Sequence, residues 1–304
     1  MAPNPFGNAS IVYICSSINR MAAEDKTWTK IIRPQRSLFQ LDLKSVFRAK
    51  DLLSLFVKRD IIAVYKQTVL GPLWFLIQPI LTTIMFVTVF SGIAGISTDS
   101  IPPVLFYLGG ITCWNYFAEC LNKTSNIFVE NQNIFGKVYF PRLISPLAVV
   151  ITSLIKFAIQ FLLFVSVYVF YLFVQGTPLN ISGWIVLLPL LILIMGVLGL
   201  GFGMIISSLT TKYRDLRFLI QFGVQLWMYA TPIIYPASLL EGKAKTLVYL
   251  NPMTSIVETF KFIFFGTGEL NWLYLGYTAL FTLITFFVGL VIFNKTEQNF
   301  MDTV

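Results

Sequence analysis

Charged residues divide most of the chain into long uncharged stretches that are rich in apolar side chains. The stretch between Lys66 and Asp99 holds 32 uncharged residues, and the stretch between Glu269 and Lys295 holds 25. A helix needs about 20 mostly apolar residues to cross a bilayer, because hydrocarbon offers its backbone no partner outside the helix. The longest stretch divides at a polar turn, 175–183. The pattern predicts six transmembrane helices, near 70–92, 103–120, 143–174, 184–208, 217–235 and 272–293.

The composition agrees with this pattern. Only 12% of the 304 residues are charged and 56% are apolar, whereas roughly a quarter of the residues in a typical soluble domain are charged. So few charges cannot cover a soluble globule of this length, which excludes a soluble enzyme and a disordered chain. Histidine is absent, which removes histidine-based acid–base chemistry and histidine metal ligands. We therefore predict an all-α integral membrane protein without catalytic or metal-binding residues.

Lysine and arginine are distributed unevenly between the two sides of the predicted helices. Eighteen of the 22 lie in segments on the side of the N terminus, and three lie in the opposite loop 236–271. Because basic residues are retained on the cytoplasmic side, we predict that both termini are cytoplasmic. This asymmetry also accounts for the formal charge of +8 without a nucleic-acid partner.

The first 69 residues are predicted to form a cytoplasmic N-terminal arm, and residues 70–304 the six-helix membrane domain. Between residues 20 and 69, basic side chains are mixed with apolar ones such as Leu52 and Phe56. This mixture is typical of helices that lie on the inner membrane surface. Arg59 and Asp60 interrupt the apolar side, so a solvated arm is the alternative.

The sequence lacks the motifs that would power transport from within the chain. It contains no GxxxxGK[ST] sequence, so no P-loop nucleotide site is predicted. No carboxylate pair lies inside a predicted transmembrane helix, whereas proton-driven transporters usually need buried acids or histidines. We therefore predict a translocation path that is powered by another molecule, with no cofactor bound by this chain.

Two segments between the predicted helices have unusual patterns. The cytoplasmic loop 121–142 is too polar to cross the membrane but rich in phenylalanine, which favours docking to a partner protein; aromatics at the headgroup level are the alternative. In the outer segment 236–269, Asn251-Pro252 interrupts the chain, and Ser255 with Glu258 forms a capping-box pattern before a short amphipathic helix. At about three turns this helix is too short to cross. It either lies in the outer interface or enters the membrane as a re-entrant element.

Glycine and proline mark how the helices pack. Gly199 and Gly203 form a GxxxG motif in the fourth predicted helix, which favours close approach of a neighbour. Pro72 and Pro79 predict a bent or broken first helix, with the freed carbonyls satisfied by neighbouring groups.

Polar and aromatic side chains share faces within three predicted transmembrane helices. Trp74 and Gln78 are one helical turn apart, and Lys156 shares a face with Gln160. Gln221, Gln225 and Tyr229 also follow each other at intervals of four. A mid-membrane lysine costs about 2.5–3.5 kcal/mol on insertion scales, so it should face protein or water. Interhelical hydrogen bonds and snorkelling of Lys156 are one interpretation. The other is a path for a neutral, hydroxyl-rich chain, because aromatic faces stack on sugar rings and amides bind hydroxyls weakly.

Five short sequences along the chain form a recognisable set. They are Val57-Lys58-Arg59-Asp60-Ile61, Tyr65-Lys66-Gln67-Thr68-Val69-Leu70-Gly71-Pro72-Leu73-Trp74, Lys137-Val138-Tyr139-Phe140-Pro141-Arg142, Tyr213-Arg214-Asp215 and Asn251-Pro252-Met253. Together they resemble sequences of polysaccharide-exporting ABC transporter permeases, which serve O-antigen, capsule and teichoic acid export. The resemblance covers about residues 35–304 and is specific only when the motifs are taken together.

The resemblance implies an architecture and a set of partners. The permease would be a homodimer above two copies of a separate ATPase subunit that holds ATP and Mg²⁺. An N-terminal interfacial helix would lie near 42–62, and segment 236–269 would form the outer gate with Asn251, Pro252, Glu258 and Phe260. Coupling helices in 121–142 would contact the ATPase through Asn131, Asn133, Phe135, Lys137 and Tyr139. The path between protomers would be lined by Trp74, Gln78, Gln221, Gln225 and Tyr229.

Lys156 departs from the family pattern, in which many relatives carry an acid near the middle of the third helix. We include it among the candidate path residues, with its role open. The predicted function is the membrane subunit of an ATP-driven exporter of a lipid-linked polysaccharide in the bacterial inner membrane. The alternatives are a related ABC permease for drugs or lipids, and a passive channel or scaffold without an ATPase.

Overall fold

The structure is a computed structural model that describes residues 49–66, 70–135, 140–176, 182–213, 215–268 and 270–303. The chain divides into two units, 1–40 and 41–304. The first unit lies outside the described residues. The described residues of the second unit form helices joined by turns, with no strand among them.

The helices are numbered in chain order. The described residues form α1 (Lys50–Tyr65), α2 (Trp74–Phe86), α3 (Pro103–Ser125), α4 (Ile127–Glu130), α5 (Gln132–Phe135), α6 (Ile144–Phe173), α7 (Leu188–Lys212), α8 (Leu216–Tyr229), α9 (Gly242–Tyr249), α10 (Pro252–Phe265) and α11 (Trp272–Thr303).

Four of the six predicted transmembrane helices are confirmed as long, apolar helices. Each contains enough apolar residues to cross a bilayer, and the four cover Gly71–Ile93, Ile144–Phe173, Gly183–Lys212 and Trp272–Glu297. The first has the irregular geometry that its prolines predict. A 3₁₀ turn at Gly71–Leu73 leads into α2, and a π-helical turn at Val87–Ile93 follows it. Pro79 lies inside α2, and the Thr83 hydroxyl donates to its carbonyl at 2.7 Å.

The other two predicted transmembrane helices differ from expectation. Helix α3 forms over 23 residues, but it carries Glu119 and Lys123 and buries 16 of its residues against other helices. Helix α8 ends at Tyr229, six residues before the predicted end at 235, and turns follow it. Pro232 lacks the N–H that a continuing helix needs. At 14 residues, α8 is about 21 Å long, shorter than the hydrocarbon core, so the count of six stays a prediction.

Glycines in α7 let two neighbouring helices approach its backbone, as the GxxxG motif predicts. A Cβ added at Gly203 would lie 2.5 Å from Cβ of Thr124 in α3. On another face, a Cβ at Gly201 would lie 3.0 Å from the backbone nitrogen of Phe286 in α11. Real Cβ atoms essentially never come as close as 2.5 Å, so the approach of α3 requires glycine at position 203, and a Cβ at position 201 would be an unusually tight contact for α11. Helix α7 is therefore the central element on which α3 and α11 pack.

Helix α10 is buried almost completely. Thirteen of its 14 residues are buried, and the Phe164 ring of α6 packs 5.3 Å from the Phe260 ring. The Tyr168 hydroxyl donates to the carbonyl of Phe264 at 2.9 Å. A helix lying on a membrane surface would leave one face open, so α10 is instead part of the core.

Helix α1 joins a second core cluster near the loop 121–142. Its Phe56 ring packs 5.4 Å from Phe140, and Phe128 packs 4.7 Å from Phe293 of α11. This helix, Lys50–Tyr65, corresponds to the later part of the interfacial helix predicted near 42–62. Residues 42–48 lie outside the described residues.

Candidate functional site

Five of the six predicted path residues lie on the outer surface of the described chain, on two helices that both pack against α3. The sixth, Lys156, lies on α6 and is partly buried. Trp74 is 49% exposed on α2 and Tyr229 is 45% exposed on α8. The three amides between them in sequence order, Gln78, Gln221 and Gln225, are also exposed. The structure thus leaves these aromatic and amide groups at least partly open to the surroundings of the chain, while their assignment to a path stays a prediction.

Helix α8 has two different faces. Its inner face buries Val224 and places the Trp227 indole edge-on against Phe117 of α3 and Phe202 of α7, both within 5.3 Å. Its outer face carries Gln221 and Gln225 among exposed apolar residues. This outer face can contact lipid, a second copy of the chain or a substrate, and its mixture of rings and amides suits sugar hydroxyls.

Lys156 is held by a carboxylate that the sequence analysis did not connect with it. Its ammonium forms an ion pair with Glu119 of α3 and lies 4.9 Å from the centroid of the Phe75 ring in α2. One turn away, Asn115 Nδ2 donates to Gln160 Oε1 at 3.3 Å. The predicted shared face of Lys156 and Gln160 therefore packs against α3 as a polar seam. The spacing of four between Asn115 and Glu119 was the signal available for it.

A cleft of about 370 Å³ lies at the end of α3 that leads into the loop 121–142. It brings the path residue Gln221 beside Lys123, which is itself 3.1 Å from Glu119. The complete lining consists of Asn122, Lys123, Asn126, Glu130, Arg217, Phe218 and Gln221. The loop, the polar seam and α8 thus meet at one place.

The residues predicted to contact an ATPase have different exposures. Asn131 is buried: it accepts from Arg59 Nη1 of α1 at 3.1 Å and donates to the carbonyl of Ile127 at 3.1 Å. Phe135 is also buried, whereas Asn133 is exposed. Lys137 and Tyr139 lie outside the described residues. Asn131 thus ties α1 to the loop, and among the three described members of the set Asn133 is the one with an open side chain.

The outer segment also contains a charged pair that the sequence analysis did not identify. Helix α10 begins at Pro252, with Asn251 as its N-cap accepting from the Met253 N–H at 3.1 Å. The predicted capping box is therefore wrong, because Ser255 and Glu258 lie inside the helix. Glu258 instead accepts from Lys261 at 2.9 Å, and the same ammonium donates to the Pro232 carbonyl at 2.7 Å.

This pair and the N-cap residue fasten α10 to the turn that follows α8. Asn251 Nδ2 donates to Thr231 Oγ1 at 2.8 Å, one residue before the carbonyl that Lys261 holds. Phe260 lies near Gly109 of α3, where an added Cβ would be 3.0 Å from the ring. All four predicted gate residues thus belong to α10 or its cap, and Pro252, Glu258 and Phe260 are buried.

Comparison with known proteins identifies the class of the chain. The family model described as "ABC-2 type transporter" matches residues 51–265, which is more than half of the sequence. The chain therefore belongs to the ABC-2 type transporter family, whose members are membrane components of ABC transporters. This agrees with the resemblance derived from its motifs.

Three individual relatives are similar to this chain over more than three quarters of its length. The O-antigen export system permease protein RfbA of Klebsiella pneumoniae is 29% identical over 252 residues, covering 83% of this chain and 94% of the relative. The protein of the same name from Myxococcus xanthus is 23% identical, covering 86% and 98%. The polysialic acid transport protein KpsM of Escherichia coli is 21% identical, covering 77% and 89%.

Proposed function

We propose that this chain is the permease subunit of an ATP-driven exporter that moves a lipid-linked polysaccharide across the bacterial inner membrane. The observation that carries the proposal is the near full-length similarity to O-antigen export permeases from two organisms. The exposed rings and amides on α2 and α8 support it. A hydroxyl-rich chain can slide along such groups, since stacking and neutral hydrogen bonds are individually weak.

In this proposal the chain acts as a homodimer, and the outer faces of α2 and α8 line a path between protomers. Both faces are exposed in the single chain and carry Trp74, Gln78, Gln221, Gln225 and Tyr229. Lys156 contributes to the path through Phe75 rather than by direct contact with the glycan. Both termini are cytoplasmic, and α9 with α10 forms a re-entrant outer gate held closed at Pro232 by Lys261.

Two copies of an ATPase subunit bind the cytoplasmic side and hydrolyse ATP with Mg²⁺. The loop 121–142 carries the coupling helices, and Asn133 is its open contact residue. Asn131 and Phe135 support the loop from inside, so changes there act through its shape. Lys137 and Tyr139 complete the proposed contact.

Deletion of the gene tests this function directly. We expect the surface glycan to disappear and its lipid-linked form to accumulate inside the cell, with both effects reversed by the intact gene. We also expect a nucleotide-binding subunit to copurify in mild detergent. Normal surface glycan together with altered drug tolerance or lipid composition would favour the alternative ABC permease. Absence of any copurifying ATPase would favour a passive channel.

A further inference from the structure

One oxygen atom of Glu119 serves two lysines that belong to different helices. Its Oε1 lies 3.1 Å from Nζ of Lys123, one turn further along α3, and it also forms the ion pair with Nζ of Lys156 on α6. All three side chains are partly or largely shielded from solvent. Since both ammonium groups share one acceptor atom, a displacement of either changes the field and the geometry at the other.

Each lysine leads to a different region that the proposed function requires. Lys123 lines the cleft together with Asn126 and Glu130, and all three belong to the first half of the loop 121–142. The Lys156 ammonium lies 4.9 Å from the centroid of the Phe75 ring. Phe75 follows Trp74 directly in the chain and lies three residues before Gln78, on the same helix α2. The contacts therefore run from Lys123 through Glu119 and Lys156 to Phe75, the sequence neighbour of the proposed path residue Trp74.

Stability alone does not account for these charges. Replacing a buried ion pair by apolar residues is often neutral or stabilising. The same two helices are already joined one turn away by the neutral hydrogen bond between Asn115 and Gln160. A charged group within a membrane protein is a functional candidate when its partner is known, and here the carboxylate has two partners.

We propose that Glu119 is a positioning residue that transmits displacement of the loop 121–142 to Phe75 and Trp74. The proposal rests on the proposed function above. When an ATPase moves the loop, Lys123 moves with the end of α3, and the Glu119 carboxylate follows it. Lys156 then shifts over Phe75, which changes the orientation of the α2 face toward the path.

The test measures export and ATP hydrolysis separately. Glu119→Gln and Lys156→Met are each introduced, surface glycan is quantified in cells, and ATPase activity is measured on the purified permease–ATPase complex. We expect each variant to lower export at least tenfold while ATPase activity stays within twofold. The double variant should be no worse than either single variant, because residues that act as one unit are not additive.

A matched control removes the neutral contact between the same helices. Asn115→Leu/Gln160→Leu should keep export within twofold. If it lowers export as strongly as Glu119→Gln, the seam acts only in helix packing and the proposal is wrong. Normal export in both single variants would overturn it as well.

Folding is controlled by Glu119→Asp, which keeps the charge and should keep export within threefold. If both single variants fail to accumulate in the membrane while Glu119→Asp does, Glu119 serves folding and the proposal is overturned. The unsubstituted gene in the same deletion strain reports on the proposed function. If it restores no surface glycan, that function fails independently of Glu119.

Discussion

Helices α8 and α10 both have 14 residues, but they are used in opposite ways. Thirteen residues of α10 are buried, whereas Val224 is the one residue of α8 that is buried within the single chain. The two charged groups of α10, Glu258 and Lys261, pair with each other inside the chain. On α8, the two amide side chains, Gln221 and Gln225, remain exposed. The contrast separates a helix built for the core from one built to meet something outside the chain.

The turn that follows α8 is hydrogen-bonded to α10 and to its N-cap residue. Lys261 of α10 donates to Pro232 and Asn251 donates to Thr231, so the end of α8 is fixed by the buried helix. An exposed helix anchored at one end can present a defined face while its other end moves. Two single variants and one double variant test how buried and exposed positions differ, from the largest expected loss of stability to the smallest.

The largest loss of stability is expected for Lys261→Met. Removing one partner of a buried ion pair leaves an uncompensated charge and costs about 3–5 kcal/mol, and here the Pro232 carbonyl also loses its donor. The midpoint of thermal unfolding in detergent should fall clearly. The control Glu258→Gln/Lys261→Met removes both charges and should be less damaging. A single variant as stable as the double variant would contradict the importance of this pair.

The polar interior shows what the sequence could and could not predict. Hydrophobic pattern predicts six transmembrane helices, four of which are confirmed as long apolar helices. Local motifs predict the break at Asn251-Pro252 and the close packing at Gly199 and Gly203, because each depends on neighbours along the chain. The pairing of Lys156 with Glu119 depends on how α6 packs against α3, across 37 positions of sequence. Spacing along one helix indicates which residues share a face, but it cannot indicate which face of a neighbouring helix packs against them.

The same limit explains the errors at helix ends. A run of apolar residues from 217 to 235 predicts one long helix, but Pro232 and the hydrogen bonds that hold Thr231 end it early. Ser255 and Glu258 match a capping box, yet Asn251 directly precedes the proline that begins α10 and takes the N-cap position. Local motifs compete, and tertiary contacts decide between them.

An intermediate effect is expected for adding one methyl group at a buried glycine. Gly203→Ala places Cβ 2.5 Å from Cβ of Thr124, and overpacking of this kind costs about 1–3 kcal/mol. The matched variant is Gly223→Ala on α8, where an added Cβ meets no atom within 4 Å. It should be neutral or stabilising by about 0.5–1 kcal/mol, because alanine is the better helix former. Thermal unfolding of the two variants measures the difference, and equal midpoints would contradict it.

The smallest change in stability, but a large loss of transport, is expected for Trp74→Ala/Tyr229→Ala. Both side chains are about half exposed, and surface substitutions usually change stability by no more than about 0.5 kcal/mol. If these rings carry the sliding glycan, surface glycan should fall at least tenfold while the thermal midpoint stays nearly constant.

The control for this last variant is Phe173→Ala/Phe287→Ala, which removes two exposed rings from α6 and α11. These helices are not proposed to line the path, so export should remain within twofold. Both double variants delete two exposed rings. Comparing them therefore separates a specific role of Trp74 and Tyr229 in export from the general effect of losing exposed apolar surface. Unchanged export with Trp74→Ala/Tyr229→Ala would show that the outer faces of α2 and α8 do not contact the glycan, leaving lipid or a second protomer as what covers them.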